Sequence, residues 1–271
     1  MSTAAITLSN RRIERSPSHT ATIYWKEAKY EFLKNLRVRM YTASLLSFPI
    51  MFYVLFGLVL GSNQVYAGMR APTYLLATYG TFGIMGASLF GTASGLASDR
   101  GLGWLEVKRA SPMPPFAYFA AKVITAMIFS ATIVLALFAL GYAFGGVRMS
   151  GGEFFTLLGT LVAGSLPFSA MGLALGYFTG PNSAPSTINL IYLPMSFCSG
   201  LWLPIMFLPK VVQTIALAMP PYHLAQLALG MVGAGAHTSN IAHWELLGAF
   251  TMICLGVARI GFQRDQEKMY G

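Results

Sequence analysis

The chain has 271 residues, of which 55% are hydrophobic and only 10% charged, with 18 basic against 9 acidic side chains. Positions 154–209 hold no Asp, Glu, Lys or Arg, and that excludes a soluble fold, whose water-facing surface needs charge at regular intervals. A helix crosses the ~30 Å hydrocarbon core with roughly 20 apolar residues, so the chain reads as an all-α integral membrane protein with six transmembrane helices. A basic surplus can signal nucleic acid. Here it fits loops held at an anionic membrane surface, and no nucleic-acid partner is expected.

Residues 1–22 are polar and basic, without an apolar run, and read as a disordered cytoplasmic tail with no cleavable signal peptide. Residues 23–40 come next as an amphipathic interfacial helix. Trp25, Ala28, Phe32, Leu36 and Met40 recur at spacings of three and four, so they share one face. Lys26, Lys29, Lys34 and Arg37 line the remainder, with Glu27 and Glu31 among them. Two roles stay open for this helix and its Trp25, Phe32 and Leu36: a plain membrane anchor, or an anchor that also touches a cytoplasmic partner.

The transmembrane domain, 41–262, is expected to carry spans near 42–61, 73–96, 118–143, 155–178, 186–208 and 241–260, with a tail at 263–271. Between spans two and three, Gly101 and Gly103 break the helix, and Pro112, Pro114 and Pro115 end the short segment beyond them. The two turns between the breaks are longer than a minimal connection requires, which favours a docking element bearing Trp104, Leu105, Glu106, Lys108 and Arg109. The fourth and fifth spans are separated by Gly180-Pro181-Asn182-Ser183-Ala184-Pro185. A fifth span containing Pro194, Pro204 and Pro209 needs neighbours for its freed backbone groups; it can turn back before crossing and leave Lys210 at the outer rim. Leu224 to Gly235 is too short to cross and suits a re-entrant or interfacial helix. Glu245 must lie near one interface of the sixth span.

Orientation is set by the basic residues. Fifteen of the 18 lie in the N-terminal tail and helix, the loop after span two with its entry into span three, and the C-terminal end; only Arg70, Arg148 and Lys210 fall on the other side. That bias puts both termini in the cytoplasm and demands an even number of spans. Small-residue pairs at Gly57/Gly61, Gly91/Gly95, Gly141/Gly145 and Gly172/Gly176 read as close helix packing.

No chemistry of its own is visible. There is no Gly-x-x-x-x-Gly-Lys-[Ser/Thr] phosphate loop, no placed nucleophile or carboxylate pair, and no metal pattern. His19, His223, His237 and His243 are scattered, and Cys198 and Cys254 read as small buried hydrophobes. Lys122 and Glu245 are expected near interfaces, so no span carries a deep charge. Ion-coupled carriers usually keep one, and the absence favours a path for apolar or amphipathic molecules. Asn189, Tyr192, Ser196 and Ser199 fall within a few turns of span five, either as path-lining groups or as interhelical hydrogen-bond partners. Three classes are weighed: an ATP-driven exporter subunit, a secondary transporter or channel, and a non-transporting membrane anchor.

The order of motifs resembles the permease subunit of type-2 ABC exporters. That resemblance rests on Asp99-Arg100-Gly101, Gly103-Trp104-Leu105-Glu106, Lys108-Arg109, Ser111-Pro112 and Lys122, then on Gly172 to Gly176, Asn189 to Pro194, Phe197-Cys198-Ser199-Gly200, Leu203-Pro204 and Leu208-Pro209. Pro220-Pro221-Tyr222-His223 stands where the family has an Asn-Pro turn, with Pro220 replacing the Asn. The likeness covers roughly 22–262. It implies six helices, an amphipathic helix before the first, a coupling helix after the second and a broken outer hairpin after the fifth. It implies that Asp99, Arg100, Gly101, Gly103, Glu106, Lys108, Arg109 and Pro112 couple the chain to a cytoplasmic ATPase present in two copies. It further implies that the permease pairs with a second copy, expected as a homodimer, in the cell membrane. This chain would bind no cofactor; ATP and magnesium would sit on the ATPase.

Overall fold

The computed structural model describes residues 17–111, 113–234 and 240–270. The chain is helical almost throughout. Helix α1 (Pro17–Arg37) is followed after Val38 by α2 (Arg39–Phe52), which runs on as a π-helical stretch over Tyr53–Val59. Pro49 inside α2 has no N–H to give, and the register loosens one turn later. A two-residue antiparallel pair, Val65–Tyr66 with Met69–Arg70, then turns through Ala67 and Gly68, both at positive φ. It is the one departure, among the described residues, from the all-helical expectation.

Helix α3 (Ala71–Leu89) continues through a π-helical stretch, Phe90–Ser94, into α4 (Gly95–Gly101). After α5 (Trp104–Ala110) come α6 (Pro115–Phe144), α7 (Gly151–Ala163), α8 (Ser165–Phe178) and α9 (Ala184–Cys198). The final elements are α10 (Lys210–Ala216), α11 (Pro220–Met231) and α12 (Asn240–Tyr270). The first helix begins at Pro17, earlier than the expected 23, and the last continues through the expected tail; residues 1–16 lie outside the described residues.

Every residue of α3 except Thr73 is buried, and α3 forms the axis of the bundle. Its composition gives the reason. Its Gly, Ala, Ser and Thr side chains let neighbours approach, which drives helix association where lipid is as apolar as leucine. The bulky chains that α2, α9 and α12 turn outward, such as Phe48, Met51, Leu190, Leu193, Met252 and Ile253, are left exposed and suit contact with acyl chains. The pair Gly172/Gly176 shows the same logic in α8. A Cβ on Gly172 would lie 1.8 Å from Thr92 Oγ1, and one on Gly176 2.9 Å from Leu96 Cβ.

Four helices among the described residues are long and apolar enough to cross a membrane: 39–59, 116–144, 151–178 and 240–267. The expected span 73–96 is helical but meets no such standard, because its interior position favours small and hydroxyl-bearing residues over bulky ones. The expected span 186–208 ends at Cys198. Fifteen residues rise only about 22 Å, and the backbone turns at Gly200, φ +72°. The chain then passes a short 3-10 turn at Ile205–Phe207 and α10, and returns as α11. Helix α11 buries Leu224, Ala225, Leu227, Ala228 and Leu229, so it is packed inside the bundle rather than lying flat on an interface.

Candidate functional site

Four elements meet at one end of the bundle: α1, the α4–α5 corner, the first turns of α6 and the last turns of α12. Three α1 side chains at helical spacing, Glu27, Glu31 and Lys34, reach three different partners. Glu27 pairs with Lys108 on α5. Glu31 Oε1 accepts from Lys122 Nζ of α6 at 2.8 Å, and Lys34 Nζ donates to Asp99 Oδ1 of α4 at 2.5 Å. Lys122 also lies 3.0 Å from Asp99 Oδ2, and the Tyr118 hydroxyl donates to the same oxygen at 2.8 Å. The Tyr118 ring takes both ammonium groups, Lys108 at 4.7 Å and Lys122 at 4.8 Å from its centroid.

The Lys122 side chain has no solvent exposure, and those of Glu31 and Asp99 have 3% each. A buried charge is tolerated only when paired and hydrogen-bonded. Three carboxylates, Glu27, Glu31 and Asp99, face three ammonium groups, Lys34, Lys108 and Lys122, so the layer is neutral. Asp99 lies beyond the expected second span. Burial would raise its carboxyl, but Lys122, Lys34 and the Tyr118 hydroxyl outweigh that and hold it down to about 2. Gly95 makes the room: a Cβ there would stand 2.8 Å from Lys122 Nζ.

Arg100 works on the adjacent side of the corner. Its Nε and Nη2 donate to Asp265 Oδ1 of α12 at 3.0 and 2.7 Å, and its Nη1 donates to the carbonyls of Gly176 and Tyr177 at 3.0 and 2.8 Å. Those carbonyls close the end of α8, where orphan acceptors favour a cation. One guanidinium thereby joins α4, α8 and α12.

Helix α5 is held by its inward side only. Leu105 is buried with Leu96, Tyr118, Leu173, Ala174, Tyr177 and Ala258. Gly103 enters the helix at φ +73°, a left-handed conformation that suits glycine. Gly101 sits where a Cβ would be 2.6 Å from Pro181 Cγ in the connection before α9. Gly101→Val is therefore expected to cost about 1–3 kcal/mol through overpacking. A fall in apparent Tm in detergent measures it, and a variant melting with the parent would show that the Pro181 loop yields freely. On the outward side Leu102, Trp104 and Val107 are 72%, 56% and 60% exposed, with Glu106 beside them. A firmly seated short helix thus presents an apolar ridge to the surroundings.

The sequence-derived residues divide accordingly. Asp99, Arg100 and Lys108 are committed to contacts within the chain, whereas Glu106 faces outward. Pro112 and the side chain of Arg109 lie outside the described residues. In α1, Ala28 is buried and Phe32 packs on Phe129 at 5.6 Å between ring centroids, but Trp25 and Leu36 are exposed. The helix has rolled toward its Glu27–Glu31–Lys34 edge because ion pairs, not the apolar stripe alone, choose its inner face. Glu27, Glu31, Tyr118 and Asp265 were missed in the sequence. The available signal was acidic residues four apart in a basic segment, with a lysine inside an otherwise apolar span.

A groove of about 580 Å³ opens between α2, the α3–α4 rod and α9. Asn189 and Tyr192 line it, together with Tyr41, Ser44, Phe48 and Ser94. Tyr192 stacks on Phe82 at 4.9 Å and donates its hydroxyl to the Phe82 carbonyl at 3.1 Å. Ser196 donates to the Tyr192 carbonyl at 2.6 Å, and Ser199 Oγ is buried without a hydrogen-bond partner; neither lines the groove. The buried hydroxyls of Tyr41 and Ser94 have no hydrogen-bond partner either. Nothing in the sequence marked them. Among the described residues no three His, Cys, Asp or Glu side chains gather closely enough to hold a metal ion.

Residues 24–232 match the family model described as ABC-2 type transporter. The chain belongs to the ABC-2 type transporter family. It is 26% identical over 243 residues to YvfS of Bacillus subtilis (strain 168), named as a transport permease, covering 89% of this chain and 97% of that protein. It is 30% identical over 158 residues to the inner membrane transport permease YhhJ of Escherichia coli (strain K12), covering 54% of this chain and 39% of that longer protein. An ABC-2 protein is a membrane-embedded transport subunit and not itself an enzyme. In this ABC-2 transporter the charged layer is paired within the chain, with Lys122, Glu31 and Asp99 buried, and the α5 ridge faces outward.

Proposed function

We propose that the chain is the permease of an ATP-driven exporter. Two copies form the pathway, and each takes one copy of a cytoplasmic ATPase that carries ATP and magnesium. The α5 ridge carries this reading: Leu102 in the preceding turn and Trp104 and Val107 on the helix are exposed, while the helix's other side is locked by Leu105, the Lys108–Glu27 pair and the Tyr118 ring. A force applied to such a helix passes into α1, α6 and α12 instead of bending a loop. In this arrangement both termini lie in the cytoplasm, as the distribution of basic residues requires.

The cargo is amphipathic or hydrophobic: a drug-like molecule, a lipid, a glycolipid or a polysaccharide. The groove between α2 and α9 supports that class. Its walls are mostly apolar, and Tyr41, Ser94 and Asn189 supply neutral polar groups with no counter-charge for a strong anion. The test is reconstitution of the chain with a cytoplasmic ABC ATPase subunit, in vesicles loaded with amphipathic dyes and lipids. ATP-dependent efflux is expected, and Asn189→Leu shifts preference among the cargoes by several-fold while protein level holds. Transport confined to small hydrophilic ions would overturn the reading. An unchanged profile in the variant would remove Asn189 from the path.

A further inference from the structure

The two histidines His223 and His243 take no part in the charged layer at the α4–α5 corner. Asp265 lies twenty-two residues further along α12 than His243, about 33 Å down the helix axis. The imidazoles are buried, at 7% and 4% exposure, with their Nδ1 atoms 2.7 Å apart. His223 Nε2 lies 2.9 Å from the Leu217 carbonyl oxygen.

Those distances determine where the protons sit. A carbonyl only accepts, so His223 Nε2 carries a hydrogen and donates it to Leu217. Neutral His223 therefore presents a lone pair at Nδ1, and His243 must donate from its own Nδ1–H. A further proton on His243 enters at Nε2 and leaves the bond between the rings intact. A further proton on His223 has only Nδ1 to occupy, where it meets the N–H of His243. With both rings protonated neither Nδ1 can accept, so the bond is lost and two cations face each other at contact distance. A doubly charged pair is therefore incompatible with the bond between the rings.

The bond spans three elements: the carbonyl that ends α10, the side chain from the first turns of α11, and the side chain from the first turns of α12. The other titratable groups on elements packed there do not replace it. Tyr74 of α3 and the adjacent Tyr222 are neutral phenols. Glu245 is exposed on another face of α12, Lys210 is exposed at the start of α10, and Glu153 is exposed at the start of α7, where it bonds to Ser150. Among the described residues neither imidazole is in an ion pair.

We propose that the His223–His243 pair is a proton-operated latch, holding the α10–α11 hairpin against α12 until both imidazoles are protonated. This stands apart from the ATPase reading and does not need it. The test is hydrogen–deuterium exchange of the full chain in lipid nanodiscs between about pH 7.5 and about pH 5, corrected for the intrinsic rate. Residues 210–231 are expected to lose protection about tenfold per pH unit below the onset of titration, because opening takes up one proton. Segment 104–110 serves as the internal control and holds its protection. His223→Gln and His243→Gln each leave a single imidazole, so the two-cation state cannot form and the pH step vanishes in both. Equal protection of 210–231 at both pH values overturns the latch, as does the same pH step in either variant. Should neither variant fold, the parent decides: a loss confined to the hairpin supports the latch, and a uniform loss through the bundle overturns it.

Discussion

Lys122→Met is expected to destabilise the protein by about 3–5 kcal/mol, the cost of removing one partner from a buried ion pair. The lysine has no exposure and stands between Glu31 Oε1 at 2.8 Å and Asp99 Oδ2 at 3.0 Å. Methionine fills nearly the same space, so packing is largely kept and the loss is electrostatic. Glu31 and Asp99 would then face each other across an apolar side chain, and one must take up a proton or draw in water. Chemical denaturation in detergent measures the loss. Adding Glu31→Gln should return part of it, because the second change removes the charge that the first left unpaired. If the single variant unfolds with the parent, the layer is not a buried ion cluster.

Trp104→Glu combined with Val107→Glu should leave the bundle folded and weaken association with the ATPase by at least about thirtyfold, as expected for an interface anchor worth ~2 kcal/mol. Both side chains point away from the fold, so nothing inside loses a contact. Gly103→Pro should have a comparable effect by another route, since proline is locked near φ −65° and this position requires +73°. Glu106→Lys alters the charge beside the ridge without unseating it and should weaken association less. Co-purification from detergent and surface-binding affinity read these outcomes. Unchanged affinity in the double variant would remove α5 from the docking surface.

Much of the α4–α5 corner was legible in the sequence because its signals are local. Gly101 and Gly103, two residues apart and followed by prolines, mark a helix break, and the left-handed φ at Gly103 is the residue-level reason. A seven-residue helix between glycine and proline breakers needs no tertiary information either. The partners of Asp99, Arg100 and Lys108 were not legible. Each is a charged residue that a linear reading assigns to solvent or to another protein, and each has its countercharge far along the chain, at Lys34, Asp265 and Glu27.

Composition by itself determined that this is a membrane-embedded helical bundle, since uncharged stretches of such length have no soluble use. Residue order determined the break after α4, the α5 helix and the small-residue contact at Gly172 and Gly176. Tertiary structure alone decided which face of α1 turns inward, that the fifth helix stops at Cys198, and that α11 packs inside the bundle. It alone brought His223 to His243. For α1 and for the histidines the physical reason is the same. Periodicity reports which residues avoid water, and in a membrane lipid and protein interior are equally dry. What separates them is the pairing of buried polar groups, and those pairs are made between elements distant in the chain.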